Sequence, residues 1–414
     1  MPIKKKASNA FGLILLCWLV YTCSYIGKLG YNANISRIGE AFGVSYADAG
    51  LVSTFFFFAY GAGQVVNGLL CKHYNVKYVI LACLGVSGAV NVAAACVTDF
   101  TLFKYLWLIN GIAMSFLWTL LIRLLSETLA KEDLSRAILA MGTTVATGTF
   151  LVYGMSAVFA TALSWRVTFF VAAAILIVAA LVWLIRFDRL VTPLLREREE
   201  ETQTLKTEQR RASGFGPILA MLCVLALFAV SNNFVKDGIT AWTPDILSSL
   251  YDTPDWLSIL LTLLLPAVAI AGTAVAVRLY AVTKSFVGTC VLLFLGSILL
   301  IGAVIGFLQT PLLPVTVGSL ALVSCLMAGV NNVITSMAPL HLKEHVSSGK
   351  SAGILNGFCY LGSTVSSYGL GAVADVWGWG AVFFVLLGVS TLAVAVGVSY
   401  LVVSRLYGKR RKGA

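Results

Sequence analysis

Residues 10–34, AFGLILLCWLVYTCSYIGKLGYNAN, decide how the rest of the chain is read. About 20 apolar residues at 1.5 Å rise each cross the roughly 30 Å hydrocarbon core of a bilayer. This stretch is that long, and a single charge, Lys28, is set inside it. Runs of similar length recur at 46–70, 77–97, 101–127, 136–162, 165–186, 215–241, 255–280, 285–308, 312–340, 350–375 and 379–404. None shows the period-two alternation of barrel strands. The expected fold is therefore an all-α membrane protein with twelve transmembrane helices. Composition agrees: of 414 residues, 59% are hydrophobic and 11% charged, whereas soluble globular chains carry about 25% charged residues.

A net charge of +11 suggests nucleic acid until its distribution is drawn. The basic residues fall on one side of the spans: Lys4 to Lys6, Lys72 and Lys77, then Arg186, Arg189, Arg196, Arg198, Lys206, Arg210 and Arg211, and finally Arg405 and Lys409 to Lys412. Asp99, Asp237, Asp245, Asp252 and Asp255 are assigned to the opposite loops. The positive-inside rule then places both termini and the central loop in the cytoplasm, in an inner (cytoplasmic) membrane. The bilayer, not nucleic acid, accounts for the charge. The N-terminal run looks like a signal peptide but has no small-residue cleavage site, so it is read as a retained first span. Nine cysteines lie scattered without metal spacing and are assigned to apolar packing. No cofactor is expected, and no phosphate loop, metal cluster or nucleophile constellation points to an enzyme.

The one long polar segment, 187–214, sits at the midpoint. It divides the chain into a six-helix half at 1–186, a cytoplasmic central loop at 187–214, a second six-helix half at 215–404 and a basic tail at 405–414. Sliding the chain against itself by 208 residues sets Lys28 on Lys236 and carries the second span onto the eighth.

A lysine at the centre of a membrane helix costs about 2.5–3.5 kcal/mol on insertion scales. It either snorkels to the interface or faces a polar cavity. Tyr21, Tyr25 and Lys28 share one helix face, and Asn233 and Lys236 share another. Tyr60, Gln64 and Asn67, then Thr143 and Thr147, then Asn331 and Asn332, then Asn356 and Tyr360 add polar groups in other spans. Each is a ligand contact or an ordinary interhelical hydrogen bond. Adjacent residues on a helix point about 100° apart, so Asp237 is not expected to pair with Lys236. With no other carboxylate near mid-membrane, two ammonium groups leave a positive cavity suited to an anion, and such a cavity favours exchange of one anion for another. No partner protein is called for, and the expected state is a monomer.

The sequence resembles the major facilitator superfamily, and within it the organophosphate:phosphate antiporter (sugar-phosphate permease) family. The resemblance rests on YTCSYIGK from Tyr21, FFFFAYGAGQVVNGLL from Phe55, NFVKDGITAWTPDIL from Asn233 and SAGILNGFCYLGSTVSSYG from Ser351. It implies two six-helix halves rocking about a midplane site, a sugar phosphate, glycerol phosphate or related organic anion as substrate, and inorganic phosphate as counter-substrate. It also implies substrate contacts at Lys28 and Lys236, which stand where the family has arginines, and at Tyr21, Tyr25, Gln64, Thr143 and Tyr360. Asn233 and Asn331 join them as polar neighbours. Lysine lacks the planar fork that binds phosphate in two places, and a lysine of the second span and a histidine of the fifth are replaced by Gln64 and Thr143. A carboxylate or other organic monoanion is therefore open beside phosphate. The alternatives are a non-transporting membrane sensor of a sugar phosphate, or an efflux carrier of the same superfamily.

Overall fold

A computed structural model describes residues 2–202, 216–310, 312–341 and 348–412. Twelve long helical passages are present among these residues. They are α1 (Pro2–Leu29), α2 (Tyr46–Leu70), α3 (Val76–Cys96), α4 (Phe100–Thr128), α5 (Lys131–Ala160), α6 (Arg166–Thr202) and α7 (Gly216–Tyr251). There follow α8 in three segments (Asp255–Thr262, Leu264–Ala269 and Gly272–Thr283), α9 (Phe286–Gly306), α10 (Leu313–Asn332), α11 (Ser348–Trp377) and α12 (Trp379–Lys412). Eleven are apolar and long enough to cross a membrane. The twelfth, α11, is rich in glycine and serine and packs between α2 and α7. Small residues there let backbones approach closely, as is usual where membrane helices meet.

Helix chemistry explains most departures from the expected spans. The first predicted span, 10–34, ends as helix at Leu29 and continues through a tight turn at Asn32–Asn34 into a short helix, Ile35–Phe42. Pro266 cannot donate to the carbonyl four residues back, at Thr262, and α8 breaks there. A π-turn, Val333–Met337, follows α10 just before Pro339. At the centre, α6 runs to Thr202, into the segment read as loop, because Leu, Arg and Glu are strong helix formers. Residues 203–215 of that loop lie outside the described residues. The tail read as 405–414 is likewise helical to Lys412.

The packing pattern repeats between the first six helices and the last six. α1 pairs with α5, α2 with α4 and α3 with α6; correspondingly α7 pairs with α11, α8 with α10 and α9 with α12. Both polar passages stop in the same way. Gly43 (φ +63°) ends the short helix after α1, and Asp252 (φ +50°) follows the end of α7. The half-repeat expected from the sequence offset is thus present in the packing.

The two sets of six meet through α2 with α11 and α5 with α8. Call the bundle end carrying the N- and C-terminal residues proximal, and the other distal. The distal seam is tight. Asp375 of α11 accepts from the first two backbone N–H groups of α2, Tyr46 at 2.9 Å and Ala47 at 2.8 Å, so a carboxylate from one set caps a helix N-terminus of the other. Tyr46, Trp242 and Trp379 pack together beneath it, Tyr46 edge-on to both tryptophans. Tyr153 of α5 donates to the Thr240 carbonyl at 3.2 Å, the acceptor that Pro244 leaves without a helix partner. Arg37 reaches the Leu163 carbonyl at 2.7 Å and Asp255 at 3.9 Å. Burial, then the nearby Asp255 charge, raises the Glu40 carboxyl above its usual value, while Arg37 draws it back.

The proximal seam is looser. On that side a Cβ on Gly357 would meet Val65 Cγ2 at 2.7 Å, whereas one on Gly68 or Gly353, further toward the proximal end, would have nothing within 4 Å. The proximal segment of α8, Gly272–Thr283, packs on α9 and α10 rather than on α5. Among the described residues, the two sets of six pack closely at the distal end and less closely at the proximal end.

Candidate functional site

Lys28 is 4% exposed, which excludes snorkelling: its head turns into the bundle. It lies 3.6 Å from the centroid of the Tyr25 ring and 5.0 Å from those of Tyr21 and Tyr60. Three ring faces attract an ammonium through their quadrupoles. Among the described residues no carboxylate lies within ion-pairing distance of it. Tyr21 in turn packs on Trp118 of α4, with centroids 4.9 Å apart.

The rings carry the site across the seam. Tyr60 of α2 stands 4.6 Å from Tyr360 of α11, and Gly61 beside it allows this approach, since a Cβ there would meet the Tyr360 Cβ at 2.7 Å. The Tyr60 hydroxyl is buried without a hydrogen bond. Tyr25 and Tyr360 both lie within electrostatic reach of Asp237 on the opposite wall.

That wall corrects three sequence-based expectations. Asp237 and Asp245, assigned to loops, both lie inside α7, and Asp245 is fully buried. Asp237 is thus a carboxylate within the membrane span. It does pair with Lys236, Nζ to Oδ1 at 3.2 Å. Adjacent Cβ atoms diverge, but the flexible four-carbon lysine stem curls back far enough to close the pair. The other oxygen, Oδ2, accepts from Asn233 Nδ2 at 3.0 Å and from Ser363 Oγ of α11 at 2.5 Å. Asn233 also donates to Ser363 Oγ at 3.1 Å. The cavity therefore holds two ammonium groups and one carboxylate, a net single positive charge where a double one was expected.

The remaining expected residues divide. Thr143 of α5 is exposed and accepts from Trp18 Nε1 at 2.9 Å, so it lines the cleft toward the proximal side, with Trp18 on the same face of α1 as Tyr21 and Tyr25. Gln64 is buried and spends its amide on α4, donating to the Ser115 carbonyl at 3.2 Å and accepting from Thr119. It acts as an interhelical bond beside Tyr60. Asn331 of α10 is half-buried and meets Cys359 of α11 at 3.9 Å, behind the Lys236 wall.

Residues 17–367 match the profile of the Major Facilitator Superfamily. The chain belongs to this superfamily. It is 22% identical to the "Membrane sensor protein UhpC" of Salmonella typhimurium over 94% of this chain and 89% of that protein. It is 23% identical to a "Probable hexose phosphate transport protein" of Chlamydia pneumoniae over 90% of this chain and 87% of that one. These are sugar-phosphate permease relatives, as the motif resemblance implies. Among solved structures, a bacterial homologue of the human lysosomal transporter Spinster, inward-facing and occupied, superposes with TM-score 0.75 at 14% identity, covering 95% of this chain and 96% of that one. The nucleoside transporter NupG superposes with TM-score 0.71 at 14% identity over 95% and 99%. The chain is a multi-pass membrane protein with the fold of these transporters.

The sequence reading missed Asp237 as a site residue, together with Ser363 and Trp18, and named Tyr60 only among the polar groups of the second span. The signal for Asp237 was its spacing of four from Asn233, which puts the two on one helix face.

Proposed function

We propose that the protein carries a small organic anion, a phosphorylated metabolite or a related carboxylate, across the inner membrane by alternating access about Lys28 and Lys236. The observation that supports this reading is one lysine within a membrane span of each half, Lys28 buried against the Tyr25 and Tyr60 rings and Lys236 half-buried beside Asp237, with Tyr60 and Tyr360 in contact across the seam. Two ammonium groups on bodies that separate and rejoin supply a bridge that an anion completes. The residues 1–186 and 215–404 are the two moving bodies. Positive-inside orientation makes the proximal end cytoplasmic, so the closed distal seam corresponds to a carrier open inward. The relatives named for hexose phosphate transport support a phosphorylated substrate. The net single positive charge in the cavity favours the singly charged members of that class. Tyr21, Thr143 and Trp18 line the approach, and Asn233 acts through Asp237.

The test is thermal stabilisation of the purified protein against phosphates, phosphonates, sugar acids and other carboxylates, beside Lys28→Ala and Lys236→Ala. A ligand that binds only the native state raises its melting temperature. One anion class should do so, and both variants should lose the shift. A panel with no effect on the folded wild type would end the anion reading.

A second reading, a sensor that binds the anion without moving it, is favoured by the UhpC relatives. Counterflow separates the two: a sensor binds without counterflow, a carrier shows both.

A further inference from the structure

We infer that Asp237 is a resident counter-anion for Lys236, standing in for the substrate in the empty carrier and so allowing the carrier to cross between its two faces unloaded. Transport is then net movement of the anion, not obligatory exchange. This rests on the anion-carrier reading above and fixes its mode.

The geometry suits the role. One oxygen of Asp237 is tied down by two donors, Asn233 on its own helix and Ser363 across on α11. The other faces the Lys236 ammonium at 3.2 Å. The anchored partner is the carboxylate, while the mobile partner is the lysine, whose long stem can swing to a ligand and return. Side-chain exposures of 27% for Lys236 and 19% for Asp237 leave both open to the cleft. The substrate and Asp237 thus compete for one ammonium.

Charge sets the cost of crossing empty. An alternating carrier passes through a closed form in which the cleft loses most of its water, and an uncompensated charge is most costly there. If both lysines lacked partners, the empty carrier would have to bury two like charges, and only a loaded one would cross readily. Here Lys236 keeps its carboxylate, and Lys28 keeps three ring faces. Lys236 and Asn233 on α7 and Ser363 on α11 contact Asp237, and Tyr25 on α1, Tyr153 on α5, and Cys359 and Tyr360 on α11 lie within its electrostatic range. Lys236 is the one cation among them.

The experiment compares two fluxes in vesicles reconstituted with the full chain and preloaded with radiolabelled glucose 6-phosphate, glycerol 3-phosphate, inorganic phosphate or gluconate. Efflux into anion-free buffer, with membrane potential clamped by potassium and valinomycin, measures net transport. Efflux into buffer containing the same anion measures exchange. Wild type should show net efflux within about threefold of exchange, as expected when an unloaded site carries no extra charge penalty. In Asp237→Asn, which keeps the side chain's shape and removes its charge, the ratio of net efflux to exchange should fall by about tenfold or more. Ser363→Ala leaves every charge in place but frees the carboxylate, and should lower the ratio in the same direction by less. Melting curves of each variant establish that it is folded. Wild type that exchanges but shows no net efflux overturns the inference and leaves the anion carrier intact, as does a folded Asp237→Asn with an unchanged ratio. An absence of both fluxes for every probe overturns the carrier reading itself, and this inference with it.

Discussion

Gly50 of α2 is the point at which one methyl group should shift the whole carrier. A Cβ built there lies 2.1 Å from the Ser367 carbonyl oxygen of α11, 2.9 Å from its carbon and 3.1 Å from Trp242 Cζ2. The first two neighbours are backbone, which cannot rotate away as a side-chain tip can. Carbon contacts are comfortable at about 3.5–4.0 Å, so α2 and α11 must part by roughly 1 Å or the seam must hold the strain. Overpacking of this kind costs about 1–3 kcal/mol. The contact belongs to the distally closed form, so the penalty falls on that form and shifts the balance toward the distally open one by about five- to 150-fold. The shift is read by double electron–electron resonance between spin labels at Thr98 and Gln309, exposed positions at the distal end of each set of six helices, in a cysteine-free background. Gly50→Ala should lengthen the principal distance. Gly371→Ala, whose Cβ would meet the Tyr46 carbonyl oxygen at 2.5 Å, should do the same. Gly68→Ala and Gly353→Ala, with nothing within 4 Å, should leave it unchanged. Wild-type distances in folded Gly50→Ala and Gly371→Ala would falsify the assignment of this seam as the closed gate.

Other perturbations test the same gate and cleft. Asp375→Ala removes the acceptor of two α2 N–H groups; loss of a cap costs about 0.5–2 kcal/mol, and the same label pair should report a shift toward the distally open form of roughly two- to 30-fold. Tyr153→Phe strips the Thr240 carbonyl of its donor across the seam, an unmade buried bond worth about 1–3 kcal/mol, and the distal distance should lengthen while helix content by circular dichroism stays constant. Thr143→Cys, at an exposed cleft position, should react with a maleimide supplied from the proximal side, whereas Lys28→Cys, at a 4% exposed position, should react far more slowly. The distal-opening variant Gly50→Ala should slow the Thr143→Cys reaction, because opening one end of an alternating carrier closes the other.

The parts of the molecule legible in the sequence are those set by period and composition. Apolar length gave the spans, and an offset near 208 residues anticipated a repeat that the packing then displays helix by helix. The two lysines were legible because a charge in an apolar run is rare and costly. Asp237 was not, and the reason is specific. Its neighbours NNFVKDGITAW look like the polar end of a span, and apolar length alone does not show that α7 continues through Trp242 and Pro244 to Tyr251. The span drawn to residue 241 already contained Asp237, yet grouping it with the outer acids read it as a loop residue; ending the span there put Asp245 outside as well, and Lys236 was left without a partner. The rule that adjacent residues diverge argued against the pair as well, although it constrains Cβ atoms and not the end of a lysine. The repeat itself held the correction. α1 with the short helix after it runs from Lys28 to Phe42, and α7 runs from Lys236 to Tyr251, so the two passages extend nearly equally beyond their lysines. Laid on each other, they place an acid after Lys236 where Leu29 follows Lys28. That difference in charge between the two passages is what turns a doubly positive cleft into a singly positive one, and it governs whether the empty carrier can turn over alone.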